Sequence, residues 1–187
     1  MTAYVRHFID QHRCGPRLGG WTWPRVCLTL VCVCGVCSVE RGTPGRIDVK
    51  TAAQLVMQIA YGNKNALQAG MIVAGWDAQE GGAVYGIPLG GTLLKVPFTL
   101  GGSGSTYIYG WVDHAYRAGM SRAETEAFVT RAVSLAMARD GSSGGVIRLV
   151  TIDAHGVTRT LVPGNEVPVA YDELQQAALG RTAPPVA

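Results

Sequence analysis

The final 150 residues of this 187-residue chain contain no cysteine. The body of the protein therefore has no disulfide framework and no thiolate metal site, and it suits a reducing compartment. All five cysteines lie in the first 37 residues: Cys14, Cys27, Cys32, Cys34 and Cys37. Cys34-Gly35-Val36-Cys37 has the local spacing of a zinc ligand pair, but no second pair accompanies it, so we expect no metal site.

A basic excess is also missing from most of the chain. Residues 1–46 carry six arginines against two acids, whereas residues 47–187 carry ten basic and eleven acidic residues. This balance gives no support to nucleic acid as a partner. The overall composition, 48% hydrophobic and 16% charged, is that of a globular domain.

No apolar run is long enough to span a bilayer. The longest, residues 26–39, follows four arginines and resembles the charged start and apolar centre of a signal peptide, although no clean cleavage site follows it. One alternative is therefore a secreted protein led by this run, without any Asn-x-Ser/Thr acceptor as a glycan marker. The other is a divergent leader over residues 1–46 joined to a regularly patterned body.

The patterned body predicts a layered α+β fold. Apolar spacing predicts a helix from Val49 to Tyr61, and three short apolar runs separated by glycine turns predict an antiparallel meander. Two further helices follow, the second opened by the capping box Ser121-Arg122-Ala123-Glu124 and ended by Asp140-Gly141. A hairpin then turns at Ala154-His155-Gly156. The predicted strands are 71–76, 83–88, 93–100, 146–153 and 157–162, and helices and strands occur in blocks.

Two Gly/Ser turns concentrate the possible chemistry. Gly101-Gly102-Ser103-Gly104-Ser105 lacks the lysine of a phosphate loop and the final glycine of a nucleophile elbow. A serine hydrolase using Ser103 with His155 and Asp140 or Asp153 is one alternative; the other is a plain turn in which Ser103 or Ser105 caps the next helix. The second turn, residues 140–145, offers a carboxylate and hydroxyls but no nucleophile–base pair. Asp77 and Glu80 are interpreted as members of a solvated loop, and His114 as a surface residue.

Several motifs in register resemble proteasome beta subunits. The match is to the caspase-like beta-1 class and runs from about Ile47 to about Glu173. Gly164-Asn165-Glu166-Val167-Pro168 with Tyr171-Asp172-Glu173 resembles its interferon-inducible, immunoproteasome form. The other motifs are Ala74-Gly75-Trp76-Asp77, residues 80–85, residues 101–110 and Arg139-Asp140-Gly141-Ser142-Ser143-Gly144-Gly145-Val146-Ile147.

This resemblance implies an Ntn-hydrolase α-β-β-α sandwich in the beta ring of the 20S core. Its members are threonine endopeptidases whose N-terminal threonine is the nucleophile, without cofactor or metal, and Asp140, Ser143 and Ser103 match supporting residues of that site. The implied partners are other alpha and beta subunits and unfolded polypeptide substrates, with neither nucleic acid nor membrane. The implied setting is ubiquitin-dependent degradation and antigen-peptide generation in cytoplasm and nucleus.

The leader departs from the family pattern. The family's first strands, first helix, catalytic Thr, Lys and first Asp should precede Val49, and residues 1–46 resemble none of them. Gly42-Thr43 imitates the family's cleavage junction, but Pro44 follows, so we do not expect Thr43 to be a nucleophile. The chain is predicted to comprise a leader (1–46), a beta-subunit domain (47–173) and a flexible tail (174–187). We expect it to be inactive, with unpaired sheet edges; the alternative is a non-catalytic assembly form.

Overall fold

The computed structural model describes residues 2–6, 30–34, 47–65 and 69–168, the first two segments by their backbone alone. The described residues form seven strands and three helices in alternating blocks, followed by a 3₁₀ turn at Gly164–Glu166. The helices are α1 (Val49–Gly62), α2 (Ser105–Ala115) and α3 (Arg122–Arg139). The strands are β1 (Thr2–Arg6), β2 (Leu30–Cys34), β3 (Met71–Asp77), β4 (Gly81–Ile87), β5 (Leu94–Lys95), β6 (Ile147–Asp153) and β7 (Gly156–Val162).

The described strands form two sheets. One has the order β2-β3-β4-β5, with β2 parallel to β3 and the other pairs antiparallel. The second has the order β1-β6-β7 and is antiparallel throughout. The β6–β7 hairpin pairs Ile147 with Val162 and Asp153 with Gly156. This confirms the hairpin predicted around residues 154–156.

Four layers follow from the alternation of side chains along the strands. Val73 and Tyr85 lie on the face of the first sheet that packs against α1. The opposite face presents Ala74 and Val84 to Val150 and Ile152 of the second sheet. Helix α3 packs on the outer side of the second sheet, and α2 packs beside it through a core of Ile108, Val112, Ala132 and Ala136. The order helix, sheet, sheet, helices is the predicted α-β-β-α sandwich.

Local sequence signals located the helices well. Helix α1 begins at Val49 as predicted and ends one residue later than Tyr61. The capping box at the start of α3 is present: the Ser121 hydroxyl accepts from the Glu124 amide at 3.3 Å, and the Glu124 carboxylate accepts from the Ser121 amide at 2.8 Å. Of the described helices, none combines the length and apolarity needed to cross a membrane.

Two expectations were wrong. The predicted strand at 93–100 is reduced to Leu94–Lys95, because Pro97 has no amide hydrogen to continue the ladder. Phe98 and Leu100 instead pack against the core between α2 and α3.

The leader was expected to leave both sheets with unpaired edges, but its backbone contributes β1 and β2, one strand to each sheet. Thr43, Pro44 and the predicted tail lie outside the described residues.

Candidate functional site

The two Gly/Ser turns meet at one carboxylate. The Ser103 hydroxyl donates to Asp140 Oδ2 at 2.6 Å, across 37 residues of sequence. The Ser143 hydroxyl donates to the same oxygen at 2.5 Å. Asp140 is only 7% exposed, so the acceptor side of both bonds is shielded from competing water. The structure thus brings Ser103, Asp140 and Ser143 together as one hydroxyl–carboxylate cluster.

The end of α3 places this carboxylate. Asp140 is the C-cap of α3, and its amide donates to the carbonyl of Ala136 at 2.8 Å. Its side chain then accepts from the Ser142 amide through Oδ1 at 3.0 Å, as expected for an aspartate in a tight turn. Gly145, with φ +88°, completes the turn in a backbone conformation that favours glycine. The chain can therefore reverse into β6 while Asp140 stays fixed.

Gly104 allows the first turn to approach the second. A Cβ at this position would lie 3.2 Å from Ser143 Oγ, 3.3 Å from Asp140 Oδ2 and 3.1 Å from the Ala136 side chain. Gly104 is also the N-cap of α2, with no side-chain cap hydrogen bond. The prediction that Ser103 or Ser105 caps α2 was wrong, because their hydroxyls donate elsewhere: Ser103 to Asp140 and Ser105 to the Gly102 carbonyl at 2.7 Å.

The chain also returns to this site after β7. A Cβ on Gly164 would lie 2.5 Å from the carbonyl oxygen of Gly145, so the two backbones are in close contact. Four residues further on, the Pro168 carbonyl accepts from Arg131 of α3 at 3.3 Å. Sequence reasoning missed these contacts, since neither Gly164 nor Pro168 carries a local signal of what packs against its backbone.

The geometry of the cluster is not that of a Ser-His-Asp triad. The hydroxyls of Ser103 and Ser143 both donate to Asp140 Oδ2. His155 follows the far end of β6, roughly 20 Å of strand from the turn that precedes Ile147, so the serine hydrolase alternative is wrong. The His155 amide and Arg122 instead contact Asp153, at 2.8 and 3.4 Å. Within the described segments, no group of three or more His, Cys, Asp or Glu residues could hold a metal.

Asp77 and Glu80 form a second carboxylate cluster. The sequence interpretation of these two residues as members of a solvated loop was incomplete. Asp77 Oδ2 accepts from the Val49 amide at the start of α1 at 3.1 Å, and Oδ1 accepts from the amides of Gln79 and Glu80 at 3.0 and 2.7 Å. These bonds, the Glu80 amide foremost, hold the pKa of Asp77 below its ordinary value. Lys95 donates to Glu80 at 2.6 Å and lowers the pKa of that carboxyl. Asp77 therefore links the β3–β4 turn to α1.

Two sheets packed face to face between layers of helices have the architecture of the Ntn-hydrolase fold. The chain belongs to the proteasome subunit family, which it matches over residues 37–152. It is 57% identical over 125 residues to proteasome subunit beta type-9 of Homo sapiens, and 57% identical over 121 residues to beta type-6 of Dictyostelium discoideum. It is 44% identical over 175 residues to beta type-6 of Arabidopsis thaliana.

These matches differ in how much of the chain they include. They cover 67%, 65% and 94% of this chain for the human, Dictyostelium and Arabidopsis relatives respectively. The Arabidopsis alignment includes 175 of the 187 residues, so at most twelve lie outside it and most of the first 46 lie within it. The chain spans 57%, 56% and 64% of the lengths of these relatives.

Proposed function

We propose that this chain is a beta subunit of the 20S proteasome core, of the beta-1 class and closest to its inducible, immunoproteasome form. The observation that carries the proposal is the meeting of Ser103, Ser143 and Asp140 at a single carboxylate oxygen, in a chain of the proteasome subunit family. In this role the three residues orient an N-terminal threonine and its amine. Its partners would be other alpha and beta subunits, and its location cytoplasm and nucleus.

We further propose that the chain itself is inactive. Strand β1 contains one threonine, Thr2, and its backbone is paired with Ile152. The Asp140 turn precedes Ile147, five strand positions away, or roughly 17 Å. The register of β1 thus places Thr2, the one threonine of that strand, away from the cluster. What would remain is the supporting part of a threonine site, in a subunit retained for assembly.

Activity and assembly are tested separately. The purified chain is assayed with a fluorogenic peptide bearing an acidic residue before the scissile bond, with and without a threonine-directed covalent inhibitor. We expect no inhibitor-sensitive turnover; such turnover, abolished by Ser143→Ala, would overturn the proposal of inactivity.

Assembly is measured by co-sedimentation of the tagged chain with 20S particles in a cell extract. We expect the chain in the particle fraction. The Leu161→Ala variant, which changes an exposed strand residue outside the cluster, is carried through the same procedure as a control. A chain that sediments only as free protein or aggregate contradicts the subunit role, whatever the peptidase assay shows. Separate expression with beta-type partners of the standard and inducible particles then distinguishes the two classes.

A further inference from the structure

The sequence contains a single place where an aspartate or asparagine precedes a glycine, and it is Asp140-Gly141. In such a pair the amide nitrogen of the second residue can attack the side-chain carboxyl carbon of the first, and glycine has no Cβ to hinder the approach. The pair follows the last residue of α3 and opens the turn before β6. Asp140 is therefore a candidate for a chemical change of the main chain itself.

The folded chain holds Asp140 away from that reaction. Oδ2 accepts from the hydroxyls of Ser103 and Ser143 at 2.6 and 2.5 Å, and Oδ1 accepts from the Ser142 amide at 3.0 Å. The backbone of Asp140 is extended, with ψ 111°. Because the substituents of Cα lie about 120° apart around the Cα–C bond, this ψ turns Cβ roughly 130° away from the Gly141 nitrogen. Closure of a five-membered ring requires these two atoms to be nearly eclipsed.

Few packing contacts restrain the turn itself. Gly141, Ser142 and Gly144 are exposed, and a Cβ on either glycine would meet no atom within 4 Å. The Ser143 amide donates to the Asp140 carbonyl at 3.0 Å, so this bond of the turn also depends on the position of Asp140. Once the hydroxyls release the carboxylate, the peptide between Asp140 and Gly141 can therefore rotate without displacing packed side chains.

We propose that Asp140-Gly141 is a site of aspartate isomerisation, which the hydroxyls of Ser103 and Ser143 keep closed and which opens when they release Oδ2. The hydroxyl–carboxylate cluster then protects the main chain as well as joining the two turns. This role holds whether or not the chain enters a proteasome.

The reaction needs only water. The Gly141 nitrogen bonds to Cγ of the protonated Asp140 carboxyl group, and the amide proton and the carboxyl hydroxyl leave together as water, which gives a cyclic imide. Water then cleaves one C–N bond of the imide. Cleavage at Cγ restores aspartate, whereas cleavage at the former main-chain carbonyl gives isoaspartate. The product has the same mass as the original chain and one extra carbon in its main chain, so its carboxylate can no longer occupy the original position.

The unaltered full chain gives the direct test. It is incubated at neutral pH, once folded and once unfolded in guanidinium chloride. Isoaspartate at Asp140 is measured by methylation with protein isoaspartate methyltransferase and by mass spectrometry of the peptides. We expect it to form at least ~10-fold more slowly in the folded chain, since ring closure there requires a local opening. Equal rates in the two states would overturn the protection, and no isoaspartate in the unfolded chain would overturn the site.

Single substitutions test the hydroxyls and the attacking nitrogen. Ser103→Ala and Ser143→Ala each remove one bond to Oδ2 and should raise the rate in the folded chain at least ~5-fold. Ser142→Ala is the matched control, because it removes a hydroxyl from the same turn but keeps the amide that binds Oδ1. Equal acceleration by all three would contradict the role of the two hydroxyls. Gly141→Ala should slow the reaction in the unfolded chain, and an unchanged rate would contradict attack by that nitrogen.

Global unfolding of the serine variants is distinguished by repeating the measurement in guanidinium chloride. The hydroxyls have no role there, so Ser103→Ala and Ser143→Ala should react at the wild-type rate. In buffer, each variant should react faster than the folded wild type and more slowly than its own unfolded form. Reaction of both variants in buffer at the unfolded rate would show that global unfolding, and not local release of the carboxylate, opens the site, and would overturn the proposal.

Discussion

Asp77 and Asp140 both open a tight turn at the end of a regular element, yet they hold different groups. Asp77 accepts three backbone amides, including that of Val49 at 28 residues' distance. Asp140 accepts two side-chain hydroxyls and one amide, and one hydroxyl comes from Ser103, 37 residues away. Each carboxylate therefore joins elements that are distant in sequence.

The two carboxylates differ in whether their hydrogen-bond donors can change partners. Backbone amides of a helix start and a turn cannot be redirected without unfolding the local chain. Hydroxyl groups can rotate and either donate or accept, so Ser103 and Ser143 can exchange partners when a reactive group enters the site. Asp77 thus holds backbone groups in place, whereas the Asp140 cluster contains two hydroxyls that can change partners.

The largest effect is expected for Asp140→Ala. This change leaves two hydroxyls and the Ser142 amide without their acceptor in a shielded site, which should lower the free energy of unfolding by about 2–4 kcal/mol. Asp140→Asn retains one acceptor oxygen and should cost about half as much. Urea unfolding of the purified chain measures both. Arg139→Ala, at the exposed neighbouring position, is the control; an equal loss there would show that the cluster contributes nothing specific.

Glu126 accepts a hydroxyl–carboxylate hydrogen bond outside the candidate site and serves as a reference for the Asp140 cluster. Glu126 accepts from the Thr151 hydroxyl at 2.7 Å and from Arg122 at 2.8 Å, and these bonds, that of Thr151 foremost, lower the pKa of Glu126. Thr151 is 2% exposed, so Thr151→Val removes the donor with little change of shape. We expect a loss of about 1–2 kcal/mol in urea unfolding, because Glu126 keeps Arg122 as a donor. Thr158→Val, on the exposed strand β7, is the matched control, and an equal loss there would contradict the assignment.

The next effect in size concerns Asp77. Asp77→Ala should lower the free energy of unfolding by about 1–2 kcal/mol at neutral pH, since α1 loses an acceptor at its N-terminus. Asp48→Ala is the control, because Asp48 is the N-cap of α1 yet makes no side-chain cap hydrogen bond. The control should change stability by less than about 0.5 kcal/mol. A larger loss for Asp48 than for Asp77 would reverse the assignment.

The stabilisation by Asp77 should also depend on pH. Its pKa in the folded chain lies below the ordinary value of 3.8, so its contribution is complete above that value. It is lost as pH falls from 3.8 through the lower, folded pKa. Unfolding measured from about pH 6 to about pH 2 should therefore show the wild type and Asp77→Ala converging in acid. Curves that stay parallel over this range would show that the charge of Asp77 is not involved.

What the sequence could predict was local. Periodicity located α1, and the capping box located the start of α3, because both signals reside in residues close together in the chain. The long-range hydrogen bonds from Val49 to Asp77 and from Ser103 to Asp140 have no such signal, since any turn aspartate is compatible with a purely local role. For the Asp140 cluster the family resemblance supplied the pairing; for Asp77 nothing did. The leader strands were missed because backbone pairing leaves little trace in composition.

The smallest effects are expected for alanine substitutions at Gly110 and Gly104, which should change the free energy of unfolding in opposite directions. Gly110 lies in mid-helix in α2, is exposed, and has nothing within 4 Å of an added Cβ. Gly110→Ala should therefore stabilise the isolated chain by about 0.5–1 kcal/mol, the intrinsic preference for alanine over glycine in a helix. Gly104→Ala adds the same methyl group against Ser143 and Asp140 and should destabilise it by a similar amount.

These opposite signs, measured side by side in urea unfolding, separate the close approach of the two site turns from helix propensity. If both substitutions stabilise the chain, the Asp140 cluster tolerates an extra methyl group and is not closely packed. If Gly104→Ala alone destabilises it, the glycine at that position serves the meeting of the two turns. Asp77, whose donors are all backbone amides remote from α2, should respond to neither substitution, and the pH dependence of stability that it contributes should be the same in both variants.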